Sequence, residues 1–289
     1  MSQPSQPAGC LVLVSTSLGN LGDLSPRAVA TLQRCALICC EDTRHSGKLL
    51  AHAGVAGVRL AVANEHTEHE RASEVLRVLG DGHDVAVVTD AGTPGISDPG
   101  MRLVRAAIDA GFAVSAVPGP AALVMALVVS GLDTSRFAFE GFLPRSGSDR
   151  SGRIAEIAAE QRTVVLYEAP HRIERTIADL CSACGDARRV ALARELTKLH
   201  EEVWRGTLGA AVEHLAHSGT RGEYVVVLEG APASAPVDDD AIVAALRDEL
   251  HAGADRRTAI ATVMSSTGAS KRRVYDLALT LPRPGADTA

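Results

Sequence analysis

TDAGTPGISDPG, residues 89–100, follows directly on the apolar run Asp84-Val85-Ala86-Val87-Val88. A run of Val and Ala that ends in Gly and Pro reads as a buried strand opening into a loop. Glycines at 92, 95 and 100 let backbone N–H groups face a ligand closely, and Asp90 stands at the strand's carboxyl end, where open α/β sheets bind ligands. The competing reading is a tight structural connection. The loop is neither G-x-G-x-x-G nor G-x-x-x-x-G-K-[ST], and no lysine follows, which disfavours a dinucleotide or triphosphate cradle.

Two further stretches share this grammar: STSLGNLGDLSP at 15–26 and VPGPAAL at 117–123, each after a strand and before a helix. Strands are expected at Leu11–Ser15, Ala36–Cys40, Val58–Val62, Val85–Thr89 and Ala113–Val117, with helical segments between them. Repeated βα units imply a parallel sheet with helices on both faces, so the three turns converge on one sheet edge. Ser25-Pro26 and Ser97-Asp98-Pro99 each place a capping side chain ahead of a first-turn proline. Past Gly119 the pattern gives an apolar helix at 121–130 and strands at Phe137–Gly141, Thr163–Glu168, Val190–Arg194 and Tyr224–Glu229, a mixed sheet. GAPASAPVDDD at 230–240 reads as a linker, and PRPGADTA at 282–289 as a frayed tail. The expected domains are 1–118, 119–230 and a helical 238–289.

A chain of 289 residues, 46% of them hydrophobic, has material for about two α/β domains of roughly 150 residues. Its longest apolar run, Ala121–Val129, falls short of the roughly 18 residues of a membrane span, and residues 1–9 lack an export signal, so a cytoplasmic place is expected. Six cysteines in apolar contexts read as reduced, and neither the lone Cys181/Cys184 pair nor His66 and His69 makes a convincing metal site. A net charge of −6 excludes a uniformly basic nucleic-acid binder but not local basic patches.

The ordered set LGNLGD, CEDTRHSGKLL, TDAGTPGISDPG, VPGPAAL, FEGFLPR, LYEAPHR, ARELTKLHEE and GEYVVVLEG resembles the tetrapyrrole-methylase-type S-adenosylmethionine-dependent methyltransferases over residues 10–230. EDTRH with RELTKL is similar to the branch that methylates the ribose 2′-hydroxyl of a cytidine in bacterial 16S ribosomal RNA. The resemblance implies two α/β domains of the tetrapyrrole methylase type with a cofactor cleft between them, a small helical C-terminal domain, and a homodimer. It implies S-adenosylmethionine contacts from Leu18, Gly19, Asp90, Gly92, Thr93, Pro94, Ile96, Ser97, Pro118, Gly119, Pro120, Ala121, Ala122, Tyr167, Leu196, Gly222, Glu223 and Tyr224. Ser17 departs from a usual proline and His200 from a common aromatic.

Methyl transfer to a ribose hydroxyl needs positioning, water exclusion and a proton acceptor, and no metal. In EDTRHSGK, 41–48, the carboxylates and cations suit a site that grips phosphate and orients a hydroxyl, with an ordinary capped helix start as the alternative. Asp42 is the expected proton acceptor, Arg44 a phosphate or ribose contact and Lys198 an electrostatic aid. Glu168, His171, Arg172, Arg194 and Glu195 either face the same cleft or form interdomain salt bridges.

RNA contacts are expected from a Gly/Ser loop, PRSGSDRSGR, through Arg145, Arg150 and Arg153. Residues 255–281 read as a helix, a turn at Thr267-Gly268-Ala269 and a second helix opened by Lys271, Arg272 and Arg273, the helix-turn-helix pattern; the alternative is a plain helical cap. The expected partner is 16S RNA within the small subunit, with no membrane contact. The rival functions are a tetrapyrrole methylase and a nucleic-acid-binding ligand sensor.

Overall fold

The first sheet is built from five short runs of Leu, Ile, Val, Ala and Cys: β1 (Cys10–Val14), β2 (Leu37–Cys40), β3 (Arg59–Val62), β4 (Val85–Val87) and β5 (Ala113–Val117). All pairings are parallel, in the order β3-β2-β4-β1-β5, so the parallel sheet expected from the βα repeat is present. Helices α1 (Pro26–Arg34), α2 (Thr43–His52), α3 (Glu68–Gly80) and α4 (Met101–Asp109) cover it. Successive strand residues alternate between the two faces. Leu11, Leu37, Cys39, Val85 and Val87 pack toward α3 and α4, while Val12, Val14, Ile38 and Cys40 pack toward α1 and α2.

Strand order fixes the site. From β1 the chain moves to β2 on one side, and from β4 it moves to β5 on the other. The loops after β1 and β4 therefore leave neighbouring strands in opposite directions and open a crevice between them. The computed structural model describes residues 8–64, 67–232 and 238–281. His66, the tail 282–289 and residues 233–237 of the 230–240 linker lie outside these.

The second sheet is mixed, β6-β7-β10-β8-β9, formed by β6 (Phe137–Phe142), β7 (Thr163–Glu168), β8 (Arg189–Arg194), β9 (Glu202–Thr207) and β10 (Tyr224–Leu228). β6 and β7 are parallel and the remaining pairs antiparallel. One face packs on α5 (Ala122–Ser130) through Leu123, Ala126 and Leu127. The other is covered by α6 (Gly147–Ala159), α7 (Ile173–Cys184) and α8 (Leu208–Ser218). The edge strand β9 is not among the strands expected from sequence. Its residues, EVWRGT, are only half-buried and carry no period-two apolar signal.

Three other expectations change. PRSGSDRSGR is not a loop, because α6 begins at Gly147 and Ile154 and Ile157 anchor it to the core. Ser97-Asp98-Pro99 does not cap α4, whose N-cap is Gly100 at φ 133°. The buried Glu68 of α3 caps α4 instead, its Oε1 accepting from the amides of Gly100 (3.0 Å), Arg102 (2.9 Å) and Leu103 (3.0 Å). The Arg172–Glu168 and Arg194–Glu202 ion pairs both join residues within the second half, so they are not interdomain bridges. All six cysteines are unpaired, and burial pushes the Cys39 thiol up to about 12, which keeps it protonated and inert.

Residues 1–231 and 232–289 form two compact units. The smaller unit holds α9 (Asp239–His251), α10 (Arg256–Thr267) and α11 (Lys271–Thr280), capped by Asp238, Asp255 and Ser270. Gly268, left-handed at φ 66°, makes the turn between α10 and α11. Ile242, Leu246, Ile260, Val263, Val274 and Leu281 form its own core. Among the described residues no helix is long and apolar enough to cross a membrane.

Candidate active site

A cavity of about 450 Å³ lies where the loop ends of the first sheet meet the second sheet, within the size range of small-molecule sites. The first sheet contributes Leu18, Glu41, Asp90, Gly92, Thr93, Ile96, Ser97 and Asp98; α5 brings Ala121 and Ala122; the second sheet brings Phe142, Tyr167, Glu168, Glu195, Leu196, Lys198, Glu223 and Tyr224.

The 89–100 loop is fastened on every side. The Thr16 amide donates to Gly92 O at 2.8 Å, and the Thr16 hydroxyl donates to Thr89 O at 3.2 Å. The Thr93 hydroxyl donates to Pro120 O at 2.9 Å and lies 3.1 Å from the Ser15 hydroxyl, so three loops meet at one side chain. Gly92 adopts φ +83°, and a Cβ there would stand 2.9 Å from Leu18 Cδ2. Gly119 is equally confined, a Cβ falling 2.7 Å from that of Ser15. Ser97, at φ 60°, holds a left-handed conformation that L-residues avoid, and this strain sits on the cavity wall.

On the facing side, Glu195 (φ 49°) and Thr197 (φ 66°) bend the loop after β8 inward. Lys198 Nζ lies 2.8 Å from both Glu195 Oε1 and Glu223 Oε2, and the Glu223 amide donates to Glu195 Oε1 at 3.0 Å. Burial works against the Glu195 anion, but the Lys198 ammonium prevails and holds that carboxyl below its usual range. The Lys198 stem lies so close over Gly19 that a Cβ there would overlap it, joining the two halves across the cavity mouth. Tyr167 accepts from the Leu123 amide at 3.2 Å and meets Phe139 edge-on at 5.0 Å, which seats the start of α5.

Of the residues expected at a cofactor site, Leu18, Asp90, Gly92, Thr93, Ile96, Ser97, Ala121, Ala122, Tyr167, Leu196, Glu223 and Tyr224 line the cavity. Gly19, Gly119, Pro120 and Gly222 stand behind it, supporting Lys198, Ser15, Thr93 and Glu195 respectively. Pro94 and Pro118 are not on the lining. Lys198 lines it as expected, whereas Asp42 and Arg44 do not. Asp42 is the N-cap of α2, accepting the Arg44 amide at 2.8 Å and pairing with the Arg44 guanidinium at 3.2 Å. Those bonds hold its carboxyl below the usual range, which weakens Asp42 as a base. His200 and Ser17 are also off the lining.

The carboxylates that do face the cavity from the first sheet are Glu41, Asp90 and Asp98. Burial, then the charges of Asp90 and Asp42, raises Glu41. Burial, with Glu41 and Asp90 as like-charged neighbours, raises Asp98 to about 6. Among the described residues, Asp90 Oδ1 and Thr197 Oγ1 are buried without a hydrogen-bond partner. The orphaned Asp90 oxygen beside a glycine cradle, under a surplus of negative charge, fits a cationic ligand carrying O–H and N–H donors. The sequence offered Glu41 together with Asp42 as carboxylates of the 41–48 segment, and residue type does not separate them; only the place of Glu41 at the end of β2 puts it on the cavity.

The arginines expected at RNA fare unequally. Arg150 is buried, bound to Asp179 (2.8 Å), Thr176 and Pro144 O, so it holds structure rather than presenting a free cation. Arg153 pairs with Glu140 and Glu156, and Arg273 with Asp239 at 2.7 Å. Arg145, Lys271 and Arg272 are exposed.

Residues 10–212 match the model of the tetrapyrrole (corrin/porphyrin) methylases, and the chain belongs to that family. Sequence relatives with one name stand out by their full-length match. It is 44% identical to the ribosomal RNA small subunit methyltransferase I of a Synechocystis species, over 96% of this chain and 100% of that protein. It is 43% identical to the protein of the same name from Pseudomonas aeruginosa, over 94% and 97% respectively. In fold it is similar to a cobalt precorrin-4 methyltransferase, with a TM-score of 0.58 at 16% identity, over 76% of this chain and 94% of that one.

Proposed function

We infer that the chain is an S-adenosylmethionine-dependent methyltransferase that modifies the ribose 2′-hydroxyl of a cytidine in 16S ribosomal RNA of the small subunit, in the cytoplasm. One observation carries the site: the unpartnered Asp90 acceptor, the Gly92 cradle and the three carboxylates Glu41, Asp90 and Asp98 share a single cavity. The names of the sequence relatives support the RNA substrate over a tetrapyrrole. A nucleic-acid-binding ligand sensor would share such a cavity but release no methyl group, which the labelling experiment below distinguishes.

S-adenosylmethionine, when bound, supplies an electrophilic methyl group on a positively charged sulfur. Asp90 and the backbone of residues 92–97 would hold it from the first sheet, and Ala121, Ala122, Tyr167, Leu196 and Tyr224 from the other side. Asp98 takes the proton of the ribose hydroxyl, since a carboxyl of about 6 is largely ionised yet still basic at neutral pH. Lys198, fixed by Glu195 and Glu223, keeps the mouth closed against water. Arg44, exposed at the start of α2, approaches the RNA backbone.

The halves on either side of 118/119 share the cofactor between them, and residues 238–289 serve as an RNA-binding module with Lys271 and Arg272 at the start of α11. A second copy of the chain covers the outer face of α5, where Val124, Met125, Val128 and Val129 are 38–58% exposed, an apolar stripe that water disfavours.

The test is incubation of the protein with methyl-labelled S-adenosylmethionine and, separately, undermethylated small subunits or a corrinoid precursor. Label recovered from RNA in an alkali-resistant dinucleotide is expected. Label in the macrocycle, or in neither, contradicts this function.

A further inference from the structure

A second cavity, of about 340 Å³, is lined by Arg145, Arg150, His171, Arg172 and Arg175 and by no acidic or apolar side chain. Its arginines are held in place. Arg172 donates to Leu143 O at 2.6 Å and pairs with Glu168 at 3.2 Å. Arg150 donates to Pro144 O at 3.1 Å, and Arg175 to Arg145 O at 3.4 Å. Three consecutive carbonyls in the β6–α6 connection thus orient three guanidiniums before any ligand arrives.

The charges do not cancel. Among the described residues the carboxylates in ion-pair reach of these arginines are Asp179 and Glu168, against four guanidiniums. Arg172 Nη1 and Arg175 Nη2 have no partner among the described residues, and Arg145 has no acid within reach there. Arginine is donor-only, and its planar fork matches the oxygens of a phosphate group. An apolar ligand would find no apolar side chain to pack on. The place matters too: Glu168, Ala169 and Pro170 line the active-site cavity, and the very next residues, His171 and Arg172, line this one.

We propose that this arginine pocket seats a backbone phosphate of the RNA substrate next to the nucleotide being methylated, a reading that rests on the RNA substrate inferred above. Arg150 and Arg172 form its rigid wall; Arg145, His171 and Arg175 are its open donors. It anchors the strand at the turn between β7 and α7, so that the ribose reaches the cavity.

The experiment uses the full chain with Arg145→Ala/Arg175→Ala, both exposed positions whose loss leaves the buried Arg150 network intact. Binding of a fluorescent RNA fragment spanning the methylation region is followed by anisotropy across a salt series, with inorganic phosphate as competitor. The double variant is expected to bind about tenfold more weakly at low salt, with a log–log salt slope shallower by about one, the signature of one lost phosphate contact. The control Arg77→Ala/Arg105→Ala removes equal charge from α3 and α4 and should match the wild type. Phosphate should displace RNA from the wild type and lose that effect in the double variant. Affinity and slope equal to wild type overturn the proposal, as does phosphate that binds the pocket without competing with RNA. A wild type that transfers no methyl to small-subunit RNA overturns the substrate reading instead, a result separate from the binding curves.

Discussion

The 89–100 loop and the 194–201 loop face one cavity but are fastened by different forces. The first is tied by buried backbone hydrogen bonds and by the three amides that Glu68 caps. The second hangs on Lys198 between Glu195 and Glu223, with side chains 29%, 21% and 78% exposed. Buried, charge-assisted bonds resist salt and are costly to break, whereas ion pairs open to water are screened and contribute less, and the Lys198–Glu223 pair is open through its glutamate. One wall of the site is therefore rigid and the other adjustable, the division a cofactor cradle with a closing mouth requires.

The most severe disruption is expected at the rigid wall. Gly92→Val forces a β-branched side chain into φ +83° and against Leu18, and should cut S-adenosylmethionine affinity by on the order of 100-fold or more in calorimetry while circular dichroism stays native. Glu68→Ala orphans three amides at the start of α4 and should lower unfolding free energy by about 3 kcal/mol in urea titration, with weaker cofactor binding as a consequence. A loss under about 1 kcal/mol would mean that water replaces the cap.

Asp98→Asn should lower kcat about 100-fold and leave cofactor affinity near wild type. The anion accepts the proton, and its pKa is raised to about 6, so wild-type kcat should climb from about pH 5 to 7 and then level. In the variant that acid limb should vanish; its persistence would move the role to Glu41. The smallest effect belongs to the adjustable wall. Lys198→Met should raise the cofactor KM a few-fold at low salt, and the difference from wild type should close at about 1 M salt, where screening acts within about 3 Å. A salt-independent defect would mean that the Lys198 stem, not its charge, closes the mouth.

The rigid wall was also the more legible one. Val85–Val88 running into TDAGTPGISDPG names a buried strand and a glycine loop by residue type alone, and the parallel sheet follows from the βα repeat. Strand order was not legible, because it depends on which faces the helices cover. Glu68 was invisible as a cap, since its partners lie 32–35 residues away. The adjustable side hid more. Edge strand β9 shows water half of each residue and so lacks alternation, and α6 begins with Gly, Ser and Asp that mimic a loop until Ile154 and Ile157 bury. Arg150 shows why charge alone misleads: Asp179 within the fold, not a ligand, claims it.

The central claim, that both walls grip one cofactor, is tested most directly by amide hydrogen exchange of the wild-type protein with and without saturating S-adenosylmethionine. Protection is expected at 90–97, at 121–123 and at 195–198 together, with the last set of amides gaining more because its loop starts looser. Unchanged exchange at either wall, or protection confined to 239–280, would contradict it.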